Sequence, residues 1–192
     1  MARDRATSEA RTRVLETADR LFYEHGIRAV GVDRIIAEAG VAKMTLYSHF
    51  PSKDELILAV LKHREEVMAG YFRAAIERHL AASGDKLRAL FAAVKELLAT
   101  PGFRGCPFQN AAAELADPAH PAAVFVRDQK QRFFGFLRRC VEESVGPAGA
   151  AAAPAVALLL EGAFMTAVIQ GSAEPADVAR DAALKLLALE AV

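Results

Sequence analysis

Gly40-Val41-Ala42 parts two short segments in which apolar residues recur at helical intervals: Val32, Ile35 and Ala39 before it, Leu46 and Phe50 after it. A glycine stops a helix well because it enters the left-handed conformation without a steric penalty. A helix so stopped, a tight turn and a compact second helix make a helix-turn-helix, predicted over about residues 32–51. The second helix of such a pair is of a size to enter the DNA major groove.

The same periodicity governs the rest of the chain, and no segment sustains the alternation of a strand, so the predicted fold is all-α. Val14, Ala18, Leu21 and Phe22 make one face of a first helix ending near His25-Gly26, with Gly26 as a left-handed cap. Ser52-x-x-Glu55 is a capping box opening a long helix that runs to about Ala82, roughly 45 Å. Further helices are predicted over Lys86–Thr100, Gly105–Leu115, Val124–Ser144, about Ala151–Gln170 and about Pro175–Leu189. Gly146–Gly149 breaks the series, and Asp181 with Lys185 makes a favourable i, i+4 pair on the last helix.

With 24 basic and 24 acidic residues the net charge is zero, so attraction to nucleic acid must come from a local patch. The arm from Met1 to Arg13 carries Arg3, Arg5, Arg11 and Arg13 against Asp4 and Glu9. No apolar stretch follows Arg3-Asp4-Arg5, so no secretory signal is expected. From Pro147 to Ile169 the only charge is Glu161; a mid-span carboxylate and Pro154 argue for a helix buried at a protein interface and against a membrane span. The expected location is cytoplasmic, with no membrane association. Cys106 and Cys140 have no metal-ligand spacing and are expected to be ordinary reduced thiols. His63, His79 and His120 lie on separate segments, and no nucleophile–base grouping is visible. Neither a metal, a cofactor nor enzymatic activity is expected, and His120, between two prolines, is expected to be exposed.

The stretch from about Thr12 to Leu61 resembles the TetR family of transcriptional regulators. The match is carried by Val14-Leu15-x-x-Ala18, Leu21-Phe22, Gly26, Val32-x-x-Ile35, Ala39-Gly40-Val41, Thr45-Leu46-Tyr47-x-His49-Phe50 and Ser52-Lys53-x-Glu55-Leu56. The resemblance implies nine helices: a three-helix DNA-binding domain over residues 1–52 and a six-helix ligand-binding and dimerisation domain over 53–192. It also implies a homodimer formed by the last two helices, a palindromic double-stranded DNA operator, and a ligand-responsive repressor. Gly31 stands where family members usually carry Ser or Thr at the start of the second helix, Ala42 where Ser usually opens the third, Met44 where Gly is common, and Ile36 where Ala is common.

On this footing the DNA-facing set is Arg34, Lys43, Met44, Thr45, Tyr47, Ser48, His49 and Lys53. Lys43 suits a guanine edge, Thr45 a base or phosphate, Met44 a thymine methyl, and Tyr47 a phosphate or a thymine methyl. His49 and Lys53 resemble the family's backbone contacts, and Arg28 and Arg34 flank the second helix as phosphate partners or as solvated charges. In the larger region, Phe91, Phe108, Asn110, Phe133, Glu161 and Met165 are the expected ligand contacts, for an apolar or aromatic small molecule. Phe103, Phe134 and Phe164 supply further aromatic surface. The competing reading is a helical interaction module whose DNA-binding head is degenerate.

Overall fold

The computed structural model describes residues 2–190, with side chains over 8–188. Among these residues there are nine α-helices and no strand, as the periodicity predicts. They are α1 (Ala2–His25), α2 (Val32–Ala39), α3 (Lys43–His49), α4 (Lys53–Ser83), α5 (Lys86–Leu98), α6 (Pro107–Glu114), α7 (Pro121–Val145), α8 (Ala153–Gln170) and α9 (Glu174–Glu190). The predicted arm is the start of α1, and the side chains of Arg3 and Arg5 lie outside the described residues.

The chain packs as two compact units, the first running to Glu66 and including Pro107–Asp128, the second comprising Val67–Cys106 and the chain from Gln129. Compactness therefore follows a different division from the functional boundary expected at 52/53. In the first unit α1, α2 and α3 pack on one another. Val14, Ala18, Leu21, Ile35, Leu46, Phe50 and Leu56 form its interior, all but fully buried. In the second, α8 lies against α9 and α9 against α5, over a core that includes Leu87, Leu90, Phe91, Leu160 and Leu187.

Helix ends follow the local chemistry. Ser52 Oγ accepts from Glu55 N at 3.1 Å, the half of the capping box that starts α4. Asp85 does the same for α5, accepting from Arg88 N at 2.7 Å. Gly40 closes α2 at φ 63°, ψ 41°. Gly26 closes α1 at φ 90°, and a Cβ there would stand 3.1 Å from a carboxylate oxygen of Glu114. Gly26→Ala is accordingly expected to cost about 1–2 kcal/mol and to lower the melting temperature by about 2–8 °C, measured by circular dichroism.

Three local expectations change. Pro147–Ala152 is a 3-10 helix where a simple break was expected; Gly149 is buried there, and a Cβ would meet Val145 Cγ2 at 2.2 Å. His120 is not exposed: its side chain is 16% accessible. Its Nδ1 accepts from Ala122 N at 3.1 Å, capping α7, while Nε2 stands 3.3 Å from Asp54 Oδ1. The proline neighbours fix the loop, but the open N–H groups at the start of α7 draw the ring inward. Finally, Asp181 takes Arg180 at 2.8 Å, the adjacent cation displacing the i, i+4 lysine.

Candidate nucleic-acid interface

The turn Gly40-Val41-Ala42 sets α3 across the first unit with Leu46 and Phe50 turned inward. Helical spacing then forces the remaining side chains of α3 outward. Met44 is 84% exposed and Tyr47 40%; Lys43 and Ser48 are exposed, Thr45 and His49 half-buried. Neither Gly31 nor Ala42 supplies a side-chain cap, so the first N–H groups of α2 and α3 have no hydroxyl of their own to bind. Ser48 Oγ donates to the Thr45 carbonyl at 2.8 Å. Tyr47 has no hydrogen-bond partner among the described residues. Six of the eight predicted DNA-facing residues thus lie on one short helix.

Lys53 and Arg34 are differently placed. Lys53 Nζ donates to the Ile27 carbonyl at 2.7 Å and lies 5.9 Å from the centre of the Phe22 ring. Burial pushes its ammonium below the usual lysine range, with Asp54 and Glu114 opposing that shift. An ammonium has three donors, so one bond to a carbonyl leaves two. Arg34 Nε donates to Glu38 Oε1 at 2.8 Å, and its Nη2 meets His25 Nε2 at 2.9 Å. Arg20 grips the same Glu38 at 2.6 Å and Glu24 at 3.2 Å. The Arg20 hydrogen bond, followed by that of Arg34, holds the Glu38 carboxyl below the usual carboxylate range. This surface network ties α1 to α2 through Arg20–Glu38, a link 18 residues apart that helical spacing does not reveal, unlike the i, i+4 pairs Arg20–Glu24 and Arg34–Glu38. Lys43 leans toward Asp33 at 3.5 Å, an exposed and weak pair.

A second link within this unit joins α6 to the α1–α2 turn. Glu114 Oε2 accepts from Arg28 N at 2.8 Å, so Arg28 is positioned by its backbone. Beside it a cavity of about 30 Å³ is lined by Asp19, Tyr23, Ile57, Arg64, Asn110 and Glu114. That is room for a water or two and far too little for an organic ligand. Arg64 pairs with Asp19 and stacks on Tyr23, its guanidinium carbon 4.5 Å from the ring centre.

The predicted ligand contacts divide between the units: Phe108 and Asn110 belong to the first, Phe91, Phe133, Glu161 and Met165 to the second. Phe91 and Phe108 are buried. Glu161 receives both contacts of a bidentate pair from Lys130, each 2.8 Å, with the two side chains 18% and 16% exposed. Lys130 also reaches Cys106 Sγ at 3.5 Å and the Phe133 ring at 5.6 Å. Lys130 was missed in the sequence because it lies 31 residues from its partner, on a different helix. Met165 is half exposed on α8, in a stripe with Leu158, Gly162 and Ile169. Both cysteines are buried and free; burial pushes the Cys140 thiol up to about 11. No group of three metal-ligating side chains occurs among the described residues. Residues 147–170 are long and apolar enough to cross a membrane by composition alone, a test that the core helix of a soluble fold also passes.

Comparison with known proteins matches this geometry. Residues 14–60 fit the family described as bacterial regulatory proteins, tetR family, and residues 83–183 the tetracyclin repressor-like C-terminal domain. The crystal structure of SCO4454, a TetR-family transcriptional regulator from Streptomyces coelicolor, is similar over 96% of this chain and 97% of that one, at 34% identity and a TM-score of 0.85. The HTH-type transcriptional activator FasR of Mycolicibacterium smegmatis is 39% identical over 88 residues, 45% of this chain and 38% of that protein. The HTH-type transcriptional regulator LmrA of Bacillus subtilis is 31% identical over 118 residues, 59% of this chain and 61% of that protein. The chain thus spans between about two-fifths and three-fifths of the length of these curated relatives.

Proposed function

Because the chain belongs to the TetR family of DNA-binding transcriptional regulators, we propose that it is a cytoplasmic, homodimeric, ligand-responsive repressor whose paired α3 helices read a palindromic operator. The observation that carries the proposal is the outward face of α3, where Lys43, Met44, Thr45, Tyr47 and Ser48 stand on a helix anchored by fully buried Leu46. Two such helices must reach successive major grooves, about 34–36 Å apart, to engage both half-sites. The dimer is supported by the α8 stripe, where Leu158 (76% exposed) and Ile169 (77%) would otherwise face water. Spacing of four, three and four residues along Leu158, Gly162, Met165 and Ile169 suits helix–helix packing.

The inducer is an apolar or aromatic small molecule bound among α5, α7 and α8, around Phe91, Phe133 and the Lys130–Glu161 pair. A partly buried ion pair contributes little to stability over an apolar pair of the same volume, which favours a recognition role. Such a ligand lowers operator affinity only as far as it binds the non-binding arrangement better.

The test is a mobility shift on the chain's own upstream region with random competitor, comparing wild type with Tyr47→Ala. A specific complex lost in the variant supports the regulator; equal, weak binding by both supports a degenerate head. Lys53→Ala is expected to weaken binding to all duplexes alike and to reduce the salt slope by about one. Similarity to a relative described as an activator favours a second reading, activation, and a promoter-fusion reporter in a deletion strain fixes the sign.

A further inference from the structure

Met44 is the most exposed of the large apolar side chains described. A solitary exposed methionine on a protein surface needs no explanation. Its position on α3 is what gives this one meaning. The polar groups around it are partly committed: Ser48 donates its hydroxyl to the Thr45 carbonyl and Arg34 is held by Glu38 and His25, while Lys43 makes just the weak, exposed pair with Asp33. Tyr47, one helical turn on, shares the face with Met44. The surface offered to a groove therefore sets an apolar thioether chain beside an aromatic ring, next to the Lys43 ammonium. In the major groove the one apolar mark on a base edge is the thymine 5-methyl group.

We infer that Met44 is a specificity-determining residue that selects thymine at one position of each operator half-site by packing against its 5-methyl group. The inference rests on the DNA-reading role of α3 and adds the chemistry that is read. The methionine chain is long and flexible enough to follow the methyl group, and burying the two against each other removes apolar surface from water.

The test uses the operator obtained by selecting random duplexes with the full chain. Each thymine of a half-site is replaced singly by uracil, which deletes the methyl group and nothing else. Affinities are read by fluorescence anisotropy for wild type, Met44→Ala and Met44→Leu. For wild type, one thymine per half-site is expected to lose about three- to fivefold on replacement, the equivalent of one buried methyl group. The same replacement is expected to be nearly silent in Met44→Ala and to retain most of its effect in Met44→Leu. Thermal melting checks that these exposed-site variants fold. The inference is overturned if every uracil replacement costs wild type and Met44→Ala equally, or if no thymine is sensitive in wild type. Failure to enrich any duplex is a separate result: it removes the DNA-reading role itself, and this inference with it.

Discussion

Leu158→Asp combined with Ile169→Asp is expected to turn a two-chain assembly into single chains of 20.6 kDa and to weaken operator binding about 10²–10⁴-fold. Both side chains are more than three-quarters exposed in the single chain, so aspartate there meets water and leaves the helical fold in place. Only an assembled interface makes the change costly, because two carboxylates per subunit would then be buried without partners. The affinity loss follows from geometry. In the proposed dimer each subunit engages one half-site, and the second contact benefits from the effective concentration created by the first. Sedimentation velocity at micromolar concentration reads the mass, and far-ultraviolet circular dichroism confirms the helices. A variant that still sediments as a dimer removes the α8 stripe from the interface.

Tyr47→Ala is expected to lower operator affinity about a hundredfold with the melting temperature unchanged, since one good groove contact contributes about 1–3 kcal/mol and a symmetric complex contains it twice. Tyr47 projects from α3 with its hydroxyl unbonded among the described residues, so its removal leaves no buried group stranded. Tyr47→Phe divides the effect. Loss confined to the hydroxyl marks a phosphate or base hydrogen bond, whereas full retention assigns the contribution to the ring. A large fall in melting temperature would instead place Tyr47 in the support of the head.

Element type and order were legible in the sequence because each helix carries its own period and its own stop. Gly26, Gly40 and Ser52 mark their boundaries through backbone chemistry that depends on neighbours only. The outward face of α3 was legible for the same reason, once Leu46 and Phe50 were assigned inward. What escaped is non-local. Glu38 meeting Arg20, Glu114 receiving Arg28 N, and Lys130 meeting Glu161 each join residues that no local spacing relates. His120 was misplaced because loop composition describes average exposure, while the ring in fact satisfies the open end of α7. The ligand contacts are the least legible of all. Aromatic residues on helices signal burial, and burial alone does not separate a packed core from a pocket lining.

The central claim is that two chains place two α3 helices on one duplex and read its sequence. The most direct measurement is sedimentation of the protein with a labelled, selected palindromic duplex, repeated against a scrambled duplex of equal length. Two chains per duplex and a preference of about 10³ or more at physiological salt are expected. One chain per duplex, or equal affinity for the palindrome and its scrambled counterpart, would contradict it.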